Sequence, residues 1–380
     1  MQRLDAVIIG GGIAGLWTLA ALRAGGYAAI LLEREGLGGK QTLASQGIIH
    51  GGTKYALQGS LTGAAQAIAQ MPARWQAALQ GKEAADLSAA NMLSAHQYLW
   101  TTQAAGGKLT AFFAGKLMRS RMQRLNDAEL PAFLPPHFGG HAYALAEPVL
   151  DIVSVLHCFA EQYADFILTD ANWQRDGDVL FIGDRQFLPR HWIYTAGEAN
   201  GELSAASQQI RPLNMVALRL PQSVPDIFGH CLGMSDKPKI TITTHLFDWQ
   251  QTEGDKVYWI GGQPAEEGVG RTRDAQIAAV RRLLLETLPW WAQDGQLLSY
   301  INDDSRYICV ALNRAEGAAD GKRPDLPTVT QNGKDITAYP TKLAFAPLVA
   351  DQIAALLSAP QFVSEAVFTD KVRIAPYLWQ

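Results

Sequence analysis

Apolar residues open the chain in an unbroken block. Asp5-Ala-Val-Ile-Ile-Gly10 predicts a short strand buried on both faces, as in a parallel sheet. From Ile13 to Ala24 (IAGLWTLAALRA) the first charge comes only at Arg23, which predicts a helix buried on most sides and ended by Gly25-Gly26. Ala28 to Glu33 returns to a strand pattern. Strand, helix and strand at this spacing predict a βαβ unit and a doubly wound α/β sheet.

Further along, helices are expected from Thr62 to Leu79 and from Thr110 to Asn126, with a turn over Leu130-Pro-Ala-Phe-Leu-Pro-Pro136. Asp151 stands where it would cap a helix running to Tyr163. A strand over Phe166 to Thr169 follows, then a hairpin from Asn172 to Ile182 turning at Asp176-Gly177, then a strand from His191 to Ala196. The middle of the chain changes character. Met215 to Leu220, Lys239 to Trp249 and Lys256 to Ile260 read as strands, and Ile240 to Phe247 begins with the alternation of a half-exposed one. Asp274 to Leu288 is helical, with Ile277, Val280, Leu284 and Leu288 on one face. A last helix is expected from Ala344 to Leu357.

Composition narrows the function classes. With 48% hydrophobic residues in 380, the chain can bury a large core. Its 32 basic and 36 acidic residues leave a net charge of -4, without a basic run, which argues against nucleic acid as partner. The opening MQRLDAVIIGGG does not read as a signal peptide, and no segment is apolar for long enough to span a bilayer. Cys158, Cys231 and Cys309 are widely spaced and form no CxxC, so a disulfide framework or structural zinc site is not expected; a reducing cytoplasm is the simplest home. The apolar tail Ala375-Pro-Tyr-Leu-Trp-Gln380 is read as docking on its own domain, with peripheral membrane contact as the alternative.

Gly10, Gly12 and Gly15 form GxGxxG between the first strand and the first helix. Gly10 permits the tight turn, Gly12 lets the backbone approach a pyrophosphate, Gly15 lets helix pack on strand, and the helix N-terminus stabilises the negative charge. Glu33 follows Gly10 by 23 residues, where a carboxylate can accept from both ribose hydroxyls and repel a 2′-phosphate. There is a single GxGxxG and a late return to the same fold type, at HWIYTAG and near the C-terminus. Together these favour FAD over a nicotinamide cofactor. The expected division is a discontinuous Rossmann-like FAD-binding domain over 1–90, 146–205 and 305–380. A largely antiparallel β-sheet with helices, the substrate or cap domain, would take 91–145 and 206–304.

These features resemble the D-amino-acid-oxidase-like FAD-dependent oxidoreductases over most of the chain. GGGIAGL with Glu33 is the general signature. Ser45-Gln-Gly-Ile-Ile-His-Gly-Gly-Thr-Lys-Tyr55 is similar to a segment of FAD-dependent glycerol-3-phosphate dehydrogenases and, more loosely, of 2-hydroxyglutarate oxidases. EPVLDIVSVL resembles the family stretch opening the helix that leads into the second nucleotide-contacting strand, IYTAG the strand ending near the flavin, and Thr341-Lys-Leu-Ala344 the segment before the flavin-contacting helix of glycerol-3-phosphate dehydrogenases. Lys54 stands where that branch usually has Arg, and Tyr339-Pro-Thr replaces Gly-Gly before the lysine. The resemblance implies cofactor contacts at Gly10, Gly12, Ile13, Ala14, Gly15, Glu33, Arg34, Ser45, Gln46, Gly47, Ala196, Gly197, Lys342 and Leu343.

It also implies an active site. His50 is read as a base for a substrate hydroxyl proton; a histidine that fixes loop or flavin by hydrogen bonds, or attaches the flavin covalently, is the alternative. Lys54 and Lys342 would stabilise an anionic substrate or the reduced flavin. Among Arg306, Arg314 and Arg323, Arg314 is chosen to fork onto a carboxylate or phosphate. Cys309 is read as a buried, inert thiol. Trp249, Trp259, Trp290 and Trp291 are read as core of the substrate domain. The expected substrate is small, anionic and hydroxylated: a 2-hydroxy acid or polyol phosphate. An amine or amino-acid oxidase, or a flavoprotein acting on a macromolecule, are the alternatives.

Overall fold

Strand β1 (Gln2–Ile9) is the axis of the first sheet, with Leu4, Ala6, Val7, Ile8 and Ile9 buried. In this computed structural model residues 1–51, 63–102, 122–204, 206–233, 238–248, 254–318, 321, 324–363 and 367–380 are described. Helix α1 (Ile13–Ala24) follows, and β2 (Ala29–Leu32) pairs parallel to β1. On the other side β1 pairs parallel to Arg185–Tyr194, and the main path of the sheet runs Thr328–Asn332, Asp335–Tyr339, Arg185–Tyr194, β1, β2, Ile167–Leu168. The expected hairpin is present: Trp173–Asp176 pairs with Val179–Ile182 around Gly177, whose φ of 55° suits a glycine. Both faces of β1 are covered, which explains its unbroken apolar pattern. Leu16, Trp17 and Leu19 of α1 share one core with Val349 and Ile353 of the helix Ala346–Ala354.

The second sheet runs Tyr307–Gly317, Gln208–Leu220, Lys256–Gly261, Pro238–Leu246, Phe228–Leu232, Gln97–Thr101, Ala142–Leu145, Met122–Arg124. Every pairing in it is antiparallel except Phe228–Leu232 with Gln97–Thr101. Tyr307–Gly317 therefore belongs with this sheet by its pairing with Gln208–Leu220, whereas the sequence reading put residues from 305 onward in the first unit.

Two further expectations are corrected. Of the helix expected from Thr110 to Asn126, residues up to 121 lie outside the described residues, and Met122–Arg124 is a strand held by Ala142–Leu145. Ile240 to Phe247 is not half-exposed through its first half: Ile240, Thr241, Ile242, Thr243, Thr244 and His245 are all buried. The threonines tolerate burial because their hydroxyls are paired, Thr241 with His230, Thr243 with His245 and Thr244 with the Ile227 backbone.

Asp151 caps the helix Ile152–Gln162, accepting from the Val153 N–H at 3.2 Å, as its position predicted. The C-terminal tail docks on the chain itself. Tyr377 donates its hydroxyl to Asp151 at 2.9 Å, and the Trp379 indole N–H donates to the Phe247 carbonyl at 3.1 Å. Among the described residues no helix is long and apolar enough to cross a membrane.

Candidate active site

The turn between β1 and α1 is built for close approach. Gly10 has φ 110°, and a Cβ there would lie 2.7 Å from the backbone of Thr195 and Ala196. A Cβ on Gly15 would meet the Gly10 carbonyl at 2.1 Å, so helix and strand touch through bare backbone. Gly12 is the N-cap of α1 in extended conformation and supplies no side-chain cap. Thr42, which no sequence signal singled out, accepts from the Ile13 N–H at 3.0 Å. Glu33 directly follows β2 and accepts from Gly11 N–H at 2.6 Å and Glu35 N–H at 2.9 Å, one bond to each carboxylate oxygen. Each oxygen keeps lone-pair capacity for a hydroxyl. Arg34 is exposed and stands 3.7 Å from Glu35. Ala196 and Gly197 close the turn from the end of Arg185–Tyr194. A glycine turn, a helix N-terminus and a carboxylate in this order fit a dinucleotide without a 2′-phosphate.

Residues 44–50 join the cradle to the second sheet. The Trp259 indole N–H donates to the Ala44 carbonyl at 2.9 Å. The Gln46 amide donates to the carbonyls of Thr241 and Trp259, each at 3.2 Å, so its side chain ties this segment to the sheet. Gly47, at φ 69°, packs on Leu150, where a Cβ would lie 2.3 Å from the carbonyl. The Ser45 hydroxyl is buried without a hydrogen-bond partner among the described residues, an orphaned polar atom suited to a ligand contact.

His50 ends this segment beside the second sheet, with 39% of its side chain exposed. Its Nδ1 is 3.4 Å from Glu147 Oε2, and its ring stacks on His230 at a centroid distance of 5.6 Å and 20° between planes. His230 Nδ1 meets the Thr241 hydroxyl at 2.7 Å. Glu147 is buried and accepts from the Gln97 amide, also buried. The sequence reading did not identify Gln97, Glu147 or His230, which lie on segments joined only through long-range pairing.

Lys342 and Leu343 lie just after Asp335–Tyr339, on a turn where Thr341 takes φ 59°, rare for a residue with a side chain. The Lys342 ammonium stands 5.4 Å from the centroid of the Phe345 ring. Arg314 lies in Tyr307–Gly317, in register with Arg211; its neighbour Asn313 donates to Glu198 at 2.7 Å, which brings this strand against the loop after Gly197. Lys54, Arg323 and Trp249 lie outside the described residues. Cys309 is half-buried rather than buried, and desolvation raises its thiol above the ordinary range, so it remains a poor nucleophile. Trp259 and Trp291 are buried core, and Trp290 packs edge-on against Phe138.

Residues 5–166 match the family model described as FAD dependent oxidoreductase. The chain is 40% identical over 367 residues to Probable FAD-dependent oxidoreductase PA4991 of Pseudomonas aeruginosa, covering 93% of this chain and 90% of that protein. The crystal structure of that protein superposes with a TM-score of 0.78 at 33% identity, over 99% and 96% of the two chains. Two more distant structures share the fold. Glycine oxidase from Geobacillus kaustophilus has a TM-score of 0.64 at 14% identity, over 96% and 97% of the chains. L-alpha-glycerophosphate oxidase from Mycoplasma pneumoniae has a TM-score of 0.63 at 13% identity, over 97% and 98%.

Proposed function

Because the chain belongs to the FAD dependent oxidoreductase family, we propose that this enzyme oxidises a small anionic hydroxyl substrate, a 2-hydroxy acid or polyol phosphate. Bound FAD supplies the acceptor for a hydride from the substrate carbon. The observation that carries the substrate reading is His50, a partly exposed imidazole in a wall of buried polar partners beside the second sheet.

In this reading the Gly10–Gly12–Gly15 turn and the first N–H groups of α1, at Ile13 and Ala14, hold the pyrophosphate, and Glu33 holds the ribose. Ser45, Gln46, Gly47, Ala196, Gly197 and Leu343 line the cofactor. His50 takes the hydroxyl proton as hydride leaves the adjacent carbon, so that the C–O bond becomes a carbonyl. Lys342, with Lys54, offsets negative charge on the substrate or on the reduced ring, and Arg314 forks onto the anionic group.

The second reading is an amine or amino-acid oxidase. It is favoured by the buried Glu147 carboxylate beside His50, which would suit a cationic amine, and by the structural likeness to glycine oxidase. Anaerobic bleaching of the flavin separates the two. 2-Hydroxy acids or polyol phosphates are expected to bleach it; bleaching by amino acids alone overturns the first reading in favour of the second.

A further inference from the structure

We propose that residues 373–379 are a clasp for the cofactor, in which Trp379 is a positioning residue that holds the 36–46 loop in its FAD-binding form by packing on Trp259. This rests on FAD as the cofactor and not on the nature of the substrate. The loop follows the glycine turn closely. The Gly38 N–H donates to the Gly11 carbonyl at 3.0 Å, and the Thr42 hydroxyl accepts from the Ile13 N–H at 3.0 Å. The loop consists of turns with an isolated bridge at Leu37, so its shape depends on what it is tied to.

The tail engages the loop at both ends. Near its start, the Leu37 N–H donates to the Arg373 carbonyl at 2.9 Å, and the Ala375 N–H donates to the Leu37 carbonyl at 3.1 Å. Gly36 packs so closely here that a Cβ would lie 2.6 Å from the Ala375 nitrogen. At the far end the contact passes through Trp259, which is buried. Trp379 packs on Trp259 with 5.0 Å between ring centroids. The Trp259 indole N–H in turn donates to the Ala44 carbonyl, and its backbone carbonyl accepts from Gln46. Trp379 is itself fixed, stacked on Tyr377 at 4.3 Å and bonded to the Phe247 carbonyl. Tyr377 is anchored on Asp151, the cap of the helix Ile152–Gln162. Removing the Trp379 ring leaves a void on one side of Trp259. The indole can then tilt off the Ala44 carbonyl, and the adjoining Ser45, whose buried hydroxyl suits a ligand contact, loses its support.

The test follows exchange of bound FAD for 8-chloro-FAD in the holoenzyme by absorbance, alongside the melting temperature. Neither readout involves substrate, so a failure of the hydroxyl reading leaves it intact. Trp379→Ala is expected to exchange its flavin about two- to tenfold faster than wild type, the range of one aromatic contact. Trp379→Phe keeps a ring on Trp259 and should exchange at close to the wild-type rate. Trp259→Phe keeps the packing but cannot donate to Ala44, and should exchange faster with little change in melting temperature. Leu284→Ala opens the separate core around Tyr258 and Ile260, so it should lower the melting temperature and leave exchange unchanged. Wild-type exchange in Trp379→Ala or in Trp259→Phe overturns the proposal. So does equal acceleration by Leu284→Ala at the same loss of melting temperature, since general stability then sets the rate. Should Trp379→Ala fail to fold, Trp259→Phe decides alone.

Discussion

The two ends of the site are built differently. The cradle is mostly local: Gly10, Gly12, Gly15 and Glu33 lie within one βαβ unit, with Thr195, Ala196, Leu168 and Ala171 reaching it from far along the chain. The His50 end is gathered from distant segments, with His50 and Glu147 meeting Gln97, His230 and Thr241 of the second sheet. The cradle works through backbone geometry, which short motifs encode. The other end works through side chains whose neighbours depend on the whole fold. Mutations should therefore separate cofactor binding from chemistry.

The sharpest break is expected at Gly15. A methyl group added there must displace the Gly10 carbonyl, so Gly15→Ala should give protein without bound flavin. A yellow variant with full FAD content would show that the turn can yield. Next in size, His50→Ala should keep its flavin yet slow anaerobic reduction by about 10²–10⁴-fold, the contribution of a positioned base. Loss of FAD from this variant would erase the contrast between the ends. Glu33→Gln should do the reverse, weakening FAD binding by about 1.5–3 kcal/mol in apoprotein titrations while leaving reduction of bound flavin unchanged.

The smallest effect concerns the seam beneath the tail. His245 is fully buried, its Nε2 2.9 Å from the Thr243 hydroxyl, with the rings of Tyr377 and Trp379 alongside. Burial lowers its pKa to about 4 from an ordinary 6.5. The unfolded chain thus binds this proton first as pH falls. Its contribution to stability is intact above 6.5 and is lost as pH falls from 6.5 toward 4. Acid denaturation of His245→Gln should lack that share of the slope, and an identical slope would show that the ring is protonated in place.

Legibility followed the same division. The pattern over residues 5–33 predicted β1, α1 and β2 because contiguous apolar runs and glycines state their own geometry. Asp151 and the Asp176-Gly177 turn were readable for the same reason. Gln97–Thr101 and Phe228–Leu232 were not, since neither carries a local signal and each is held by pairing with the other. Thr241, Thr243 and Thr244 misled the exposure reading because polarity predicts solvent only when no partner is buried alongside. His50 itself was found through resemblance, but its carboxylate and its stacked histidine were visible only after folding.

The central position of β1 also sets a schedule. Its second neighbour, Arg185–Tyr194, is synthesised well over a hundred residues later, and Asp335–Tyr339 must still arrive to flank that strand. At translation speeds of about 5–20 residues per second, β1 waits roughly 10–40 s with one apolar edge open. An unpaired edge of this kind templates association with other nascent chains. The yield of soluble protein in the cell should therefore depend on chaperones that shield the first forty residues, and on culture temperature, more than on the final stability of the folded enzyme.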